Sequence, residues 1–349
     1  MESAEKIISM ISPLLSTDNV DIWMIPNFEQ RLVHDVCVEA TKILKKGSAL
    51  IDVPDPCSIV GDIHGNFLDL MKIFREFGTP ELSKYLFLGD FVDRGLYSVP
   101  VMAVICAYFV KYNSNVFLIR GNHEFAHINK MYGFHNEIMK LYKNEDLWSD
   151  FQVMFAYLPF AAILCRKVFC VHGGLSPRLH SPEDINLIEL PVFDYDQNSL
   201  ICDIIWSDPS DKLGFTPNDR GSGIKFGHDT IANFLSNNHL QLLVRGHQVT
   251  AEGVTPFATN LGVTVFSSSG YCSMMKNYCG IITMINKKEF VLHSLTPNGD
   301  KKTNMKLVPR LLGLRRVGNP NTTIKFVKRD VKLSNPPVKK IPSAKKMVL

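Results

Sequence analysis

Residues 58–66 read Ser-Ile-Val-Gly-Asp-Ile-His-Gly-Asn, and the same punctuation returns as Tyr-Leu-Phe-Leu-Gly-Asp-Phe-Val-Asp-Arg-Gly at 85–95 and Val-Phe-Leu-Ile-Arg-Gly-Asn-His-Glu at 116–124. Each time a short apolar run of strand character stops at a polar, glycine-bearing turn. Between these runs lie longer amphipathic stretches, near 66–77 and 98–112, with helical periodicity. Strands alternating with helices predict βαβ units and a largely parallel sheet. All three polar turns then fall just past a strand's carboxyl end, where open α/β sheets place their ligands. The glycines let the backbone turn sharply there.

Working outward, helical patterns near 3–16 and 28–46 precede this region, the second ending at Lys45-Lys46-Gly47 as a helix terminus should. Apolar runs at 161–171, 240–244, 262–268, 280–285 and 289–295 predict further strands. Fewer helices separate them, so a mixed or two-sheet arrangement is expected. With 46% hydrophobic and 21% charged among 349 residues, the chain is of the ordinary globular class, which excludes wholesale disorder and fibrous structure. The longest apolar runs, 99–110 and 153–165, fall short of the roughly 18 residues that a membrane span needs. Residues 7–15 read as an amphipathic helix and not a secretory leader, because Glu2 and Glu5 precede them and no small-residue cleavage site follows. Eight cysteines stand singly, with no C-x-x-C pair. That pattern predicts reduced thiols in an intracellular protein, cytoplasmic or nuclear, and argues against a cysteine zinc site.

The net charge of +4 conceals an asymmetry. Residues 301–349 hold 14 Lys or Arg against the single acid Asp330, which leaves 24 bases and 33 acids in residues 1–300. A body at −9 and a tail at +13 predict two parts with different roles, a folded domain at 1–300 and a basic, disordered tail at 301–349. The tail is read either as a solvated end or as an electrostatic arm for an anionic partner such as nucleic acid or an acidic membrane.

The polar turns carry the chemistry. Asp62 and His64 are two apart, so a persisting strand would point both to one face, and a carboxylate with an imidazole suits Mn, Fe, Zn or Co. Taken alone, D-x-H is more often surface decoration than a ligand set. Asp90 adds a carboxylate able to bridge two ions, and Asn122 a neutral oxygen. His172 in His-Gly-Gly and His247 in Arg-Gly-His-Gln each follow an apolar run. The six together suffice for a two-metal site with open positions, and such a site can activate water and clamp an in-line displacement. Arg94 and Arg220 can present planar forks to phosphate oxygens, or can be surface ion pairs. His123, beside Asn122, reads as a general acid supported by Asp93, or as a third metal ligand.

The motifs GDIHGN, GDFVDRG, RGNHE, HGGLSP, IWSDP, NDRG and RGHQ, in this order over about residues 5–297, resemble the metal-dependent serine/threonine phosphoprotein phosphatases. INKMYGF and YLFLGD look most like the type-1 catalytic subunit. The resemblance implies the α/β metallophosphoesterase fold, a central β-sandwich flanked by helices. It also implies hydrolysis of phosphoserine and phosphothreonine in protein substrates, with two divalent ions per chain, manganese in vitro and iron or zinc natively. The first ion would be held by Asp62, His64 and Asp90, and the second by Asp90, Asn122, His172 and His247. His123 would be the proton donor supported by Asp93. Arg94 and Arg220, with Asn122 and Tyr271, would contact substrate phosphate.

Regulatory or targeting subunits are implied too, docking in an apolar groove at Val168, Leu242, Phe257 and Val263, with His293 in place of an aromatic wall residue. The chain departs from the family in the loop overhanging the site. The family's Ser-Ala-Pro-Asn-Tyr-Cys-Gly appears as Ser267-Ser268-Ser269-Gly270-Tyr271-Cys272-Ser273, which should loosen it, and Lys276 replaces an aspartate, which should favour acidic inhibitors or substrates. A phosphodiesterase or nucleotide hydrolase on the same core, or a scaffold that binds regulators without turnover, are the competing readings.

Overall fold

The computed structural model describes residues 1–17, 20–286 and 289–296. Two sheets face each other. One has the order β14-β13-β2-β3-β4, with β2 Ser58–Val60, β3 Tyr85–Phe87, β4 Val116–Leu118, β13 Cys279–Asn286 and β14 Glu289–Leu295. The other runs β1-β5-β6-β10-β12-β11, with β1 Leu50–Val53, β5 Ala161–Leu164, β6 Val168–Val171, β10 Leu242–Arg245, β11 Val254–Phe257 and β12 Gly262–Val265. Within them β2-β3-β4, β6-β10-β12 and the β1–β5 pair are parallel, while β13, β14, β11 and the β5–β6 pair add antiparallel pairings. The sheets are therefore mixed rather than largely parallel. A small third sheet, β7-β9-β8, comprises β7 Asp208–Ser210, β8 Phe215–Pro217 and β9 Ile224–Gly227.

Side-chain alternation builds the layers. Along residues 85–88, Tyr85 and Phe87 face the helices while Leu86 and Leu88 face the other sheet, the period of two that a strand enforces. Leu86, Leu88 and Ile59 meet Ala162, Cys170, Val244 and Val265 between the sheets. On the outer side of the first sheet pack α1 (Glu2–Leu15), α2 (Gln30–Leu44), α3 (Phe67–Phe77) and α4 (Ser98–Lys111). With them pack residues of α6 (Phe134–Tyr142) and α7 (Glu145–Ala156), α5 (Ala126–Tyr132) leading into α6. Helix α4 is buried on nearly every side, which explains its almost uninterrupted apolar sequence. The outer face of the second sheet meets α8 (Leu200–Trp206) and α9 (His228–Asn237). The result is the β-sandwich flanked by helices. Among the described residues, no helix is long and apolar enough to cross a membrane.

The carboxyl ends of β2, β3 and β4 in one sheet and of β6 and β10 in the other open toward the same edge of the sandwich. Beyond that edge Asp62 pairs with Phe266 in a parallel bridge that joins the layers. Gly61 sits at this seam, where a Cβ would lie 2.1 Å from the Val265 carbonyl oxygen. Residues 301–349, read from the sequence as a basic tail, lie outside the described residues.

Candidate metal centre and active site

The turns after five strands bring Asp62, His64, Asp90, Asn122, His172 and His247 into one buried cluster. Asp90 Oδ2 lies 3.6 Å from His64 Nε2 and 3.3 Å from His172 Nε2, so it stands between two imidazoles. His64 Nε2 is also 3.9 Å from Asp62 Oδ2, and His172 Nε2 is 3.0 Å from Asn122 Oδ1. Donor atoms of His64, Asp90 and His123 lie within 4.8 Å of one another, as do those of Asp90, His172 and His247.

Local backbone explains how they converge. The strand conformation does not persist through Asp62 and His64, because β2 ends at Val60 and His64 has φ 47°. A left-handed turn, not strand alternation, aims both side chains inward. Asp90, Asp93, Arg94 and His247 also have positive φ, between 52° and 72°. Such conformations in residues with a Cβ cost about 1–2 kcal/mol each and cluster at functional sites, held by the surrounding structure.

Hydrogen bonds fix the rings. His64 Nδ1 donates to the Val92 carbonyl at 2.9 Å and His172 Nδ1 to that of Leu88 at 2.8 Å, leaving each Nε2 facing the cluster. This is the orientation that outer partners give to metal-binding imidazoles. Asp62 Oδ1 accepts from the His247 amide at 2.9 Å. Asp62 Oδ2 and His247 Nε2, both buried, have no hydrogen-bond partner. Buried polar atoms left without partners are costly, and these two point to missing cationic partners.

The electrostatics agree. Burial pushes His64 down to about 3 and lowers His247 well below the usual imidazole range, so both are neutral donors. Burial also lifts Asp62 to about 6. Burial alone would raise Asp90, but the imidazoles of His172, His123 and His64 hold its carboxyl well below the usual range. Burial would lower His172, yet the carboxylates of Asp90 and Asp62 lift it to about 9. The negative potential that retains this proton is the one that attracts a dication, and the proton must leave when a metal binds.

Beside the cluster, His123 donates its amide to Asp90 Oδ1 at 2.9 Å, and its Nδ1 meets Asp93 Oδ2 at 2.6 Å. Asp93 Oδ1 accepts from the Phe134 amide, at the N-terminus of α6, at 2.9 Å. Against the effect of burial, Asp90 and Asp93 raise His123 above its ordinary value. Arg94 is exposed and lies over the Tyr132 ring, 4.0 Å to its centre. Arg220 donates its Nε to Asp208 at 2.6 Å and is partly exposed. Tyr271 is 5.2 Å from the His64 ring.

Several supporting residues escaped the sequence reading. Glu124 accepts from the amides of Asp90, Phe91 and Gly121, clamping two of the turns together. Buried Arg245 donates to Gly173, Ser207, Gln248 and Asp208, so Asp208 holds Arg245 and Arg220 at once. All three lie inside the quoted motifs, Glu124 in RGNHE, Arg245 in RGHQ and Asp208 in the WSDP stretch, but residue type alone assigned them no part.

The overhanging loop is pinned at its base, where looseness was expected. The Ser269 amide donates to Asp69, Ser268 accepts from Asn277, and Ser267 bridges Gly61 and Gly280. In the expected docking groove, Leu242 and Val263 line a small apolar cavity with Ile282 and Phe290. Val168 packs with Leu242 and Val263 between the sheets. Phe257 and His293 point elsewhere, Phe257 to the outer face with α9 and His293 against Phe77 of α3.

Buried imidazoles and carboxylates at the carboxyl edges of a β-sandwich define a metal-dependent hydrolase class. Residues 58–251, more than half of the chain, match the family of calcineurin-like phosphoesterases, and the chain belongs to that family. Its fold is similar to that of a protein serine/threonine phosphatase from Saccharomyces cerevisiae described as similar to human phosphatase PP5. The TM-score is 0.76 at 27% identity, covering 84% of this chain and 96% of that one. Together the two likenesses support a phosphatase of the metallophosphoesterase class. A cold-active protein-tyrosine phosphatase from a psychrophilic Shewanella shares the fold, with a TM-score of 0.53 at 15% identity over 73% of this chain and 82% of that one. The family implies divalent metal ions, and the unpartnered donors fit them.

Proposed function

We propose that the protein hydrolyses phosphoserine and phosphothreonine in phosphoproteins. The observation that carries this reading is the His123–Asp93 pair set against the Asp90 cluster, a constellation suited to monoester hydrolysis. The ligands are assigned as Asp62, His64 and Asp90 for one ion and Asp90, Asn122, His172 and His247 for a second. When bound, such ions supply Lewis acidity at the phosphoryl group and a nucleophile near neutral pH. Manganese suits the set in vitro, and iron or zinc natively.

The chain's own residues do the rest. Arg94 and Arg220 bind the phosphate oxygens, Arg220 oriented through its Nε by Asp208. Asn122 and Tyr271 are assigned to contact the same phosphate. His123, protonated because Asp90 and Asp93 raise it, gives a proton from Nε2 to the departing serine or threonine oxygen. Asp93 fixes the tautomer by accepting from Nδ1.

Residues 1–300 form the catalytic domain in this reading, and regulatory subunits and an anionic partner for residues 301–349 complete it. All eight cysteines are free, in keeping with a reducing compartment, cytoplasm or nucleus. Phosphate release from a phosphoserine peptide, compared with hydrolysis of a phosphate diester, tests the reading. Preference for the diester refutes it.

A further inference from the structure

An apolar groove of about 660 Å³ lies between the segment 184–194 and the start of α8. Leu187 and Phe193 line it although they are 81% and 56% exposed, and Ile188, Leu200 and Ile201 form its floor. Apolar side chains left this open in one concavity gain about 1.5–3 kcal/mol each when covered.

The charge around it has one sign. From 179 to 211 the chain carries eight carboxylates and no lysine or arginine. Asp184, Glu189 and Asp194 line the groove. Arg178, the one cationic side chain on its wall besides His180, is paired with buried Asp203 at 2.8 Å. Asp194 is 3.7 Å from His127, and Asp184 accepts from the amides of His180 and Ser181. Glu189 is exposed. An occupant must therefore be apolar and basic, and the rim repels nucleic acid and anionic membranes.

Side-chain contacts lead from the end of this wall toward the candidate site. Tyr195 follows Asp194 on the wall, and its hydroxyl accepts from Trp206 Nε1 at 2.7 Å. The Trp206 ring stands edge-on to His247 at 5.4 Å. Val192, on the same wall, is anchored by Arg120, which donates to its carbonyl at 2.6 Å. Trp206 and Tyr195 thus link the metal cluster to the Asp194 end of the groove.

We propose that this groove receives a basic, apolar segment of the phosphoprotein substrate, a few residues from the phosphoresidue. The proposal rests on the phosphatase reading above. Its probes are two fluorescein-labelled phosphoserine peptides for the full-length, metal-loaded protein, one with a flank alternating Lys or Arg with Leu, the other with that flank in Ser and Gly. The basic flank should tighten binding, read by anisotropy, by ~10-fold. Leu187→Ser and Glu189→Lys, both at exposed positions, should erase that gain and leave hydrolysis of p-nitrophenyl phosphate unchanged. Equal binding of the two peptides, or an advantage that survives both substitutions, overturns the proposal. Flank-dependent binding without hydrolysis of any ester upholds the groove and overturns the catalytic reading instead.

Discussion

Asp93→Asn isolates the proton-donor step. Asparagine keeps an acceptor for the Phe134 amide, now 2.9 Å from Asp93 Oδ1, so the start of α6 should stay in place. What changes is the contact to His123 Nδ1 at 2.6 Å, where a carboxylate becomes an amide that can present a donor. The charge that helps raise His123 disappears. General acid catalysis contributes on the order of 10²–10⁴ in rate. We expect kcat on a phosphoserine peptide to fall by about 10²-fold, at the lower end, because the imidazole remains.

The sign of the pH effect follows. Activity requires protonated His123, so it declines as pH rises through the raised pKa, and in the variant this alkaline decline moves to lower pH. The assay is kcat against pH for two esters, the phosphoserine peptide and p-nitrophenyl phosphate, whose leaving group needs little protonation. The second ester should lose far less. An equal loss on both esters with an unshifted profile refutes the role given to the pair.

Glu137 accepts from the Ser98 and Val99 amides at the start of α4, and burial lifts its carboxyl to about 7. A carboxyl raised on folding binds more protons in the native state, so stability should fall as pH rises from about 4.5 to 7, by on the order of 3 kcal/mol at most. Denaturant titrations across that range should show a flatter dependence for Glu137→Gln, and an identical slope rules the group out. Gly61→Ala places a Cβ 2.1 Å from the Val265 carbonyl oxygen at the seam of the two sheets, so both thermal stability and metal content should drop. Normal values of both would show that the seam yields. Leu86→Ala empties a fully buried position between the sheets and should cost about 2–5 kcal/mol while leaving bound metal intact in the folded fraction, read by calorimetry and elemental analysis.

The parts of the fold legible in the sequence are those set by local pattern. Ser58–Val60 and the helix at Ser98–Lys111 were readable because a short strand-like run and the apolar stretch at 99–110 stop at glycine-rich or polar punctuation. The same logic led to the turns after the strands, and so to the residues that the structure gathers. The strand Leu50–Val53, the small sheet at 208–227 and the three helices between 126 and 156 were not read from the pattern. Short strands with a Pro or a charge, such as Asp208–Ser210, owe their conformation to the partner they pair with, not to their own periodicity.

Within the site, residue types were legible and geometry was not. A D-x-H pair invites strand alternation, whereas His64 turns left-handed and is held by the Val92 carbonyl. The serines of the overhanging loop looked permissive, but their hydrogen bonds to Asp69, Asn277 and Gly280 come from other segments. Glu124 and Asp208 stand in the motifs, but their residue type alone does not say what they hold. Only their burial beside three amides and two guanidiniums reveals their part.

The central claim is metal-dependent hydrolysis of phosphoserine and phosphothreonine centred on Asp90. It is tested most directly by phosphate release from a phosphoserine peptide by the full chain, with and without manganese, beside Asp90→Asn. Release should require the metal and be abolished in the variant, whose elemental analysis should show depleted ions. Undiminished release by Asp90→Asn, or none from the wild-type chain with both ions bound, would contradict it.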